Sequence, residues 1–147
     1  MTGIDPRHDF PELIAIGDVE IDEEHAVLQG LIEHLIESAT AMIDGKRFSD
    51  TFSDLLIFLL NHFQTEETFM RNSRMPAEEQ RLHKREHNRL LDALHRINKD
   101  IVRARGSAAA ARLDVCEVVR REIIDHIAHY DVNMKRYLVT KGPGVPD

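Results

Sequence analysis

With a single cysteine, Cys116, the chain can form no internal disulfide, and the lone thiol reads as a small buried apolar residue rather than a reactive one. Lysine and arginine are outnumbered, 19 against 26 acidic residues for a net charge of −7, and they form no cluster dense enough to follow a phosphate backbone. Nucleic acid is therefore not an expected partner. The longest uninterrupted apolar run is LLIFLL, residues 55–60, far short of the roughly 20 residues that cross a bilayer. MTGIDPRHDF at the N-terminus has neither the basic start nor the apolar stretch of a signal peptide. The expectation is a cytoplasmic protein with no membrane partner. β-Hairpin signals, internal repeats and low-complexity segments are missing as well, and 147 residues make one domain, 1–147, the default.

Histidine is what the chain has in excess: nine, beside two tyrosines and no tryptophan. HKREH sets His83 and His87 four residues apart, so on a helix both imidazoles leave the same face, one turn apart. That spacing can grip one metal ion. It is not the zincin motif, which needs a glutamate directly after the first histidine as general base; Lys84 stands there. An isolated pair of this kind usually decorates a wet helix face, so the rest of the chain has to decide.

After an irregular arm containing Pro6 and Pro11, apolar residues recur at helical spacing from Val27 and Leu28 to Ile36 and Ala39, with Asp22 as the expected N-cap. Asp44-Gly45 breaks that pattern. Ser49 or Asp50 can cap a second helix whose stripe runs Phe52, Leu55, Leu56, Leu59, Phe63, Phe69 and Met70, ending near Asn72-Ser73. Pro76 suits the first turn of a third helix, with Glu78 and Glu79 following, which runs to about Arg105 before Gly106. Ser107 caps a fourth helix carrying Leu113, Val118, Val119, Ile123, Ile124 and Ile127 to about Tyr137 and Leu138. Short connections between such helices predict an all-α, antiparallel up-down-up-down four-helix bundle over about 18–139, with the irregular arm at its N-terminus.

On those helices the histidines fall inward. HFQTE places His62 and Glu66 on one face beside Leu55, Leu59 and Phe69, where a carboxylate is costly to bury unless something positive neutralises it. No lysine or arginine lies on that stripe within two turns, and a metal ion could take that place. His83 and His87 continue into Leu90, Leu91 and Leu94; His25 shares a stripe with Leu28, Ile32 and Leu35; His126 follows Ile123 and Ile124. Asp131 lies five residues beyond His126, which is about 500° of rotation and leaves the two roughly 140° apart on a regular helix. Spacing alone makes Asp131 a surface residue, unless the helix is locally unwound there, as in a π-type turn. Asp125 points elsewhere. His34 lies about 180° around from His25 and should face solvent, His8 sits in the arm, and neither His95 nor His129 is preferred as a ligand.

IDEEH around His25, HFQTEE with His62 and Glu66, HKREH with His83 and His87, and HIAHYDVNMKRYL with His126 and Asp131 together resemble the hemerythrins, in particular the single-domain bacteriohemerythrins. All seven ligand positions of that family are filled in order across residues 25–131. The resemblance implies a non-haem di-iron centre (Fe2+/Fe3+, oxo- or hydroxo-bridged) in a four-helix bundle that binds dioxygen reversibly. It also implies that Asp131 is a ligand, since the family uses the His and Asp five apart. Two departures concern the pocket: the tryptophan often found near the family's N-terminus is missing, and Met75-Pro76 replaces the usual Tyr-Pro.

The ligand count agrees with two irons. Six-coordinate ions offer about twelve positions, and imidazole with carboxylate suits iron. Five histidines fill five, two bridging carboxylates four and one bridging oxygen atom two, so a single position stays open. By the family's pattern His83, His87 and His126 bind the saturated iron, His25 and His62 the iron with the opening, and Glu66 and Asp131 bridge, while Leu28 and Leu59 are expected to wall the open position. Function then reads as dioxygen storage, transport or delivery by a carrier rather than an enzyme, with an oxygen-consuming enzyme a conceivable protein partner. The alternative is a sensor of oxygen, nitric oxide or redox state acting through a separate protein. A ferritin-like di-iron oxidase would use Glu-x-x-His, and no glutamate in the chain has a histidine three residues later.

Overall fold

The computed structural model describes residues 15–40, 45–103 and 109–138. The described residues form four α-helices, α1 (Val19–Thr40), α2 (Gly45–Asn72), α3 (Ala77–Arg103) and α4 (Ala109–His129), followed by a 3-10 segment, Asp131–Tyr137. Helices adjacent in sequence pack against each other and α4 closes the ring against α1. This is the expected four-helix bundle. None of the described helices is long and apolar enough to cross a membrane.

Helix starts differ from the expectation in two places. The N-cap of α1 is Asp18, whose carboxylate accepts the Ile21 N–H at 3.0 Å. Asp22, the residue expected there, lies inside the helix and reaches back to accept the N–H groups of Ile16 at 2.7 Å and Gly17 at 3.1 Å, tying down the incoming chain. Gly17 has φ +102°, and a Cβ on it would lie 2.8 Å from a methyl of Leu138, so only glycine fits where the two ends of the described chain meet. For its part α2 begins at Gly45 rather than at a Ser49 or Asp50 cap. The reason is tertiary: Phe48 is fully buried and meets Phe52 edge-on, so the extra turn lengthens the apolar stripe by one large ring, which outweighs the local cap signal. At the start of α3 the carbonyl of Pro76 accepts the Gln80 N–H, as expected for a proline at the helix entrance. The expected stop at Gly106 and cap at Ser107, like the Asp44 break and His8, lie outside the described residues.

Two apolar clusters fill the bundle. The larger runs along its length through Leu28, Ile32, Leu35, Phe52, Leu55, Leu59, Leu90, Leu94 and Ile123. A smaller one, Ile16, Ile21, Met70, Met75 and Met134, closes one end. The polar candidates sit between the two. Ile21 precedes His25 by a turn and Leu28 follows it; Leu59 precedes His62 and Met70 follows Glu66; Ile123 precedes His126 and Met134 follows Asp131. The bundle therefore holds a polar layer closed above and below by hydrocarbon.

Candidate metal centre

His25 comes from α1, His62 and Glu66 from α2, His83 and His87 from α3, His126 from α4 and Asp131 from the first residue of the 3-10 segment. All seven are buried, none more than 3 % exposed. Their side chains divide into two groups that share both carboxylates. His25 and His62 form one group with Glu66 and Asp131, and His83, His87 and His126 form the other with the same pair. Within each group the potential ligand atoms all lie within 4.8 Å of one another.

The carboxylate oxygens are partitioned accordingly. Glu66 Oε2 lies 3.3 Å from His25 Nε2 and 2.9 Å from His62 Nε2, while Oε1 lies 2.9 Å from His87 Nε2 and 3.7 Å from both His83 and His126. Asp131 turns Oδ2 to His25 at 3.1 Å and Oδ1 to His83 at 3.0 Å and His126 at 2.9 Å. Each carboxylate thus gives one oxygen to the two-imidazole group and one to the three-imidazole group.

Asp131 reaches the layer although a regular helix would have turned it away. Spacing alone would have left Asp131 at the surface, and the structure buries it by ending the α-helix rather than by a π-type turn. α4 stops at His129, Tyr130 has φ −115° and ψ −56°, and the chain continues as a 3-10 helix. A regular helix has φ near −63°, and the departure at Tyr130 re-aims the next residue, leaving Asp131 fully buried. His129 faces solvent, with Nδ1 at 2.8 Å from the Asp125 carbonyl. His34 and His95 are exposed too, so none of these joins the layer. Cys116 is buried, and that burial pushes its thiol up to about 12.

The donor set suits a cation. Nε2 of His62 and both ring nitrogens of His126 are buried without a hydrogen bond of good geometry, although carboxylate oxygens approach their Nε2 atoms to 2.9 Å. Two donors at right angles on one ion, each about 2.1 Å from it, stand about 3.0 Å apart, and the closer N···O pairs here, at 2.9 to 3.1 Å, match that spacing. Without metal, protons do the neutralising. Burial works against a charged His25, but the hydrogen bonds and negative charges of Asp131 and Glu66 outweigh it and raise the imidazole to about 10. His126 is raised to about 10 in the same way, chiefly by Asp131, and His62 and His83 are also raised. Burial would raise Glu66, and burial with the like charge of Glu66 would raise Asp131. The surrounding imidazoliums, His62 foremost for Glu66 and His126 for Asp131, hold both below the usual carboxylate range.

Several residues around the layer carry no signal in the sequence that would assign them to it. Glu24 takes the His62 Nδ1 side at 2.7 Å and is held by the Thr65 hydroxyl at 2.9 Å; Glu67 takes His87 Nδ1 at 2.8 Å. Phe63 stacks on His87 with centroids 3.8 Å apart and planes 8° off parallel. A carboxylate on Nδ1 fixes the imidazole tautomer so that the Nε2 lone pair faces inward. Each glutamate adjoins a ligand in sequence yet serves a ligand on the next helix, a pairing that only packing reveals. Glu24→Gln and Glu67→Gln are each expected to weaken metal binding by about 10- to 100-fold. Competition with a chelator measures this, and unchanged affinity in both would remove them from the centre.

A buried layer of five imidazoles and two carboxylates across a four-helix bundle defines a cation-binding bundle protein. The sequence model of the Hemerythrin HHE cation binding domain matches residues 17–138, and the chain belongs to the hemerythrin family. No curated protein and no solved structure matches it.

Proposed function

We propose that the chain binds dioxygen reversibly at a non-haem di-iron centre and acts as a carrier for storage or delivery rather than as an enzyme. The observation that carries this reading is the sharing of Glu66 and Asp131 between a two-imidazole and a three-imidazole group. His83, His87 and His126 would hold one ion, His25 and His62 the other, and the carboxylates would span both. Iron supplies redox-coupled, reversible affinity for dioxygen. The protein's contribution is the asymmetry of two imidazoles against three, which would leave an ion held by His25 and His62 one ligand short of its neighbour.

Leu28 and Leu59 lie one turn from those two histidines and are each 1 % exposed. They keep that side of the centre dry, which slows the proton and water access that drives irreversible oxidation. Two carboxylates among five imidazoles also make a centre poorer in negative charge than a carboxylate-rich oxidase site, which favours binding over further oxidation. Dioxygen is the ligand on this reading, in a bacteriohemerythrin-like cytoplasmic protein.

The test is an optical titration of the reduced, iron-loaded chain with oxygen, followed by its removal, alongside metal analysis. A band that appears and disappears with oxygen, at two irons per chain, is expected. One zinc per chain, or a single irreversible oxidation, would reject the proposal.

A further inference from the structure

The centre is sealed: its seven residues are at most 3 % exposed, so an ion needs a route that the closed structure does not offer. We infer that metal ions enter and leave through the cleft over His83, with the ring of Tyr130 as its door. This rests on the reading of the cluster as a metal centre.

The cleft has a volume of about 380 Å³ and is lined by Met75, Glu79, Leu82, Arg136, Tyr130 and, from the centre itself, His83. A second cleft of about 390 Å³ shares Leu82 and Tyr130 with it. The Tyr130 ring is therefore a wall common to both. On its inner side it lies against two imidazoles of the three-histidine group: stacked on His126 at 5.6 Å and 14°, and tilted to His83 at 5.7 Å. Swinging this one ring would join the clefts and uncover both imidazoles.

The ring is held by packing alone, because its hydroxyl makes no hydrogen bond among the described residues. Its backbone stands where α4 gives way to the 3-10 segment, and helix ends open at lower cost than helix middles. A seven-residue 3-10 run is also long for that geometry, whose poorer hydrogen bonds usually limit it to three or four residues. The segment is tied by Met134 in the end cluster and by the Tyr137 hydroxyl, which donates to Glu79 at 2.8 Å. Opening there loosens Asp131 together with Tyr130, freeing a ligand as the path clears. Glu79 and Arg136 at the mouth carry opposite charges, so neither an incoming cation nor an anionic chelator is turned away. A larger cleft of about 620 Å³ beside Thr65 and Phe69 contains none of the seven residues, and behind it stands the hydrogen-bonded chain Thr65–Glu24–His62.

The experiment follows cobalt(II) uptake by the metal-free chain and its loss to EDTA in stopped flow. In Tyr130→Ala both rates are expected to rise on the order of tenfold, as for the loss of a local closing interaction. Tyr130→Phe, which keeps the stack, should behave as wild type. Tyr137→Phe cuts only the tie to Glu79; it should raise both rates by less, and it decides the matter if Tyr130→Ala does not fold. Rates unchanged in Tyr130→Ala and Tyr137→Phe overturn the port. So does faster loss without faster uptake, since Tyr130 would then only position His126. A wild-type chain that takes up no cobalt(II) overturns the metal-centre reading itself.

Discussion

Replacing Glu66 with glutamine is expected to empty the centre of metal and to destabilise the metal-free chain by about 3–5 kcal/mol, the cost of breaking a buried ion pair by removing one partner. The size follows from position. Glu66 is fully buried and its two oxygens lie between 2.9 and 3.7 Å from five imidazoles. Glutamine matches its volume, so packing is preserved and the change is electrostatic. The amide is neutral, and one of its ends becomes a donor aimed at groups that are themselves protonated or metal-bound. His25 and its neighbours then face Asp131 alone. Urea unfolding of the metal-free variant and metal analysis of the loaded one measure the two effects. Asp125→Asn is the control: an exposed carboxylate next to His126 in sequence, whose loss should stay within about 0.5 kcal/mol. Two bound ions and an unchanged unfolding midpoint in Glu66→Gln would mean that the carboxylate is not shared.

Six of the seven cluster residues were legible in the sequence because they obey helix geometry. His62 with Glu66, and His83 with His87, are one turn apart on apolar stripes, and a stripe that buries leucine on either side must bury what lies between. Asp131 was not legible by spacing, since its place depends on the backbone leaving α geometry at Tyr130, and only the family resemblance pointed to it. Glu24, Glu67 and Tyr130 were illegible for a different reason. Glu24 and Glu67 adjoin ligands, yet their partners are on neighbouring helices, and Tyr130 matters only because the helix ends beneath it. The fold class followed from periodicity and punctuation. The start of α2 did not, because burial of Phe48 outweighs the cap signal at Ser49 and Asp50. Local signals thus located what regular helices determine, and failed where tertiary contacts override or interrupt them.

Above neutrality the metal-free protein is expected to lose stability as pH rises while the metal-loaded protein keeps it. In the metal-free chain His25 and His126 are raised from 6.5 to about 10 and His62 and His83 are raised too. The folded state therefore binds protons that the unfolded chain has already released. The stabilisation from His25 and His126 is complete below the unfolded value of 6.5 and is lost as pH rises through their folded value near 10, and that from His62 and His83 fades in the same direction. Glu66 and Asp131 are lowered, so theirs is complete above the unfolded carboxylate values and fades as pH falls through the folded ones. The metal-free chain should consequently be most stable in mildly acidic solution and melt progressively lower from neutral pH toward 10. Metal needs the imidazole lone pairs that these protons occupy, so binding expels protons and tightens as pH rises. The loaded chain should thus keep its melting temperature over the range in which the metal-free chain loses it, and should release metal on acidification. Two measurements check this: melting curves of both forms between pH 5 and about 10, and proton release in weakly buffered solution at pH 7 as metal is added. A metal-free chain equally stable at both ends of that range, or metal uptake that frees no protons, would show that the layer is not held together by imidazolium and carboxylate before the ions arrive.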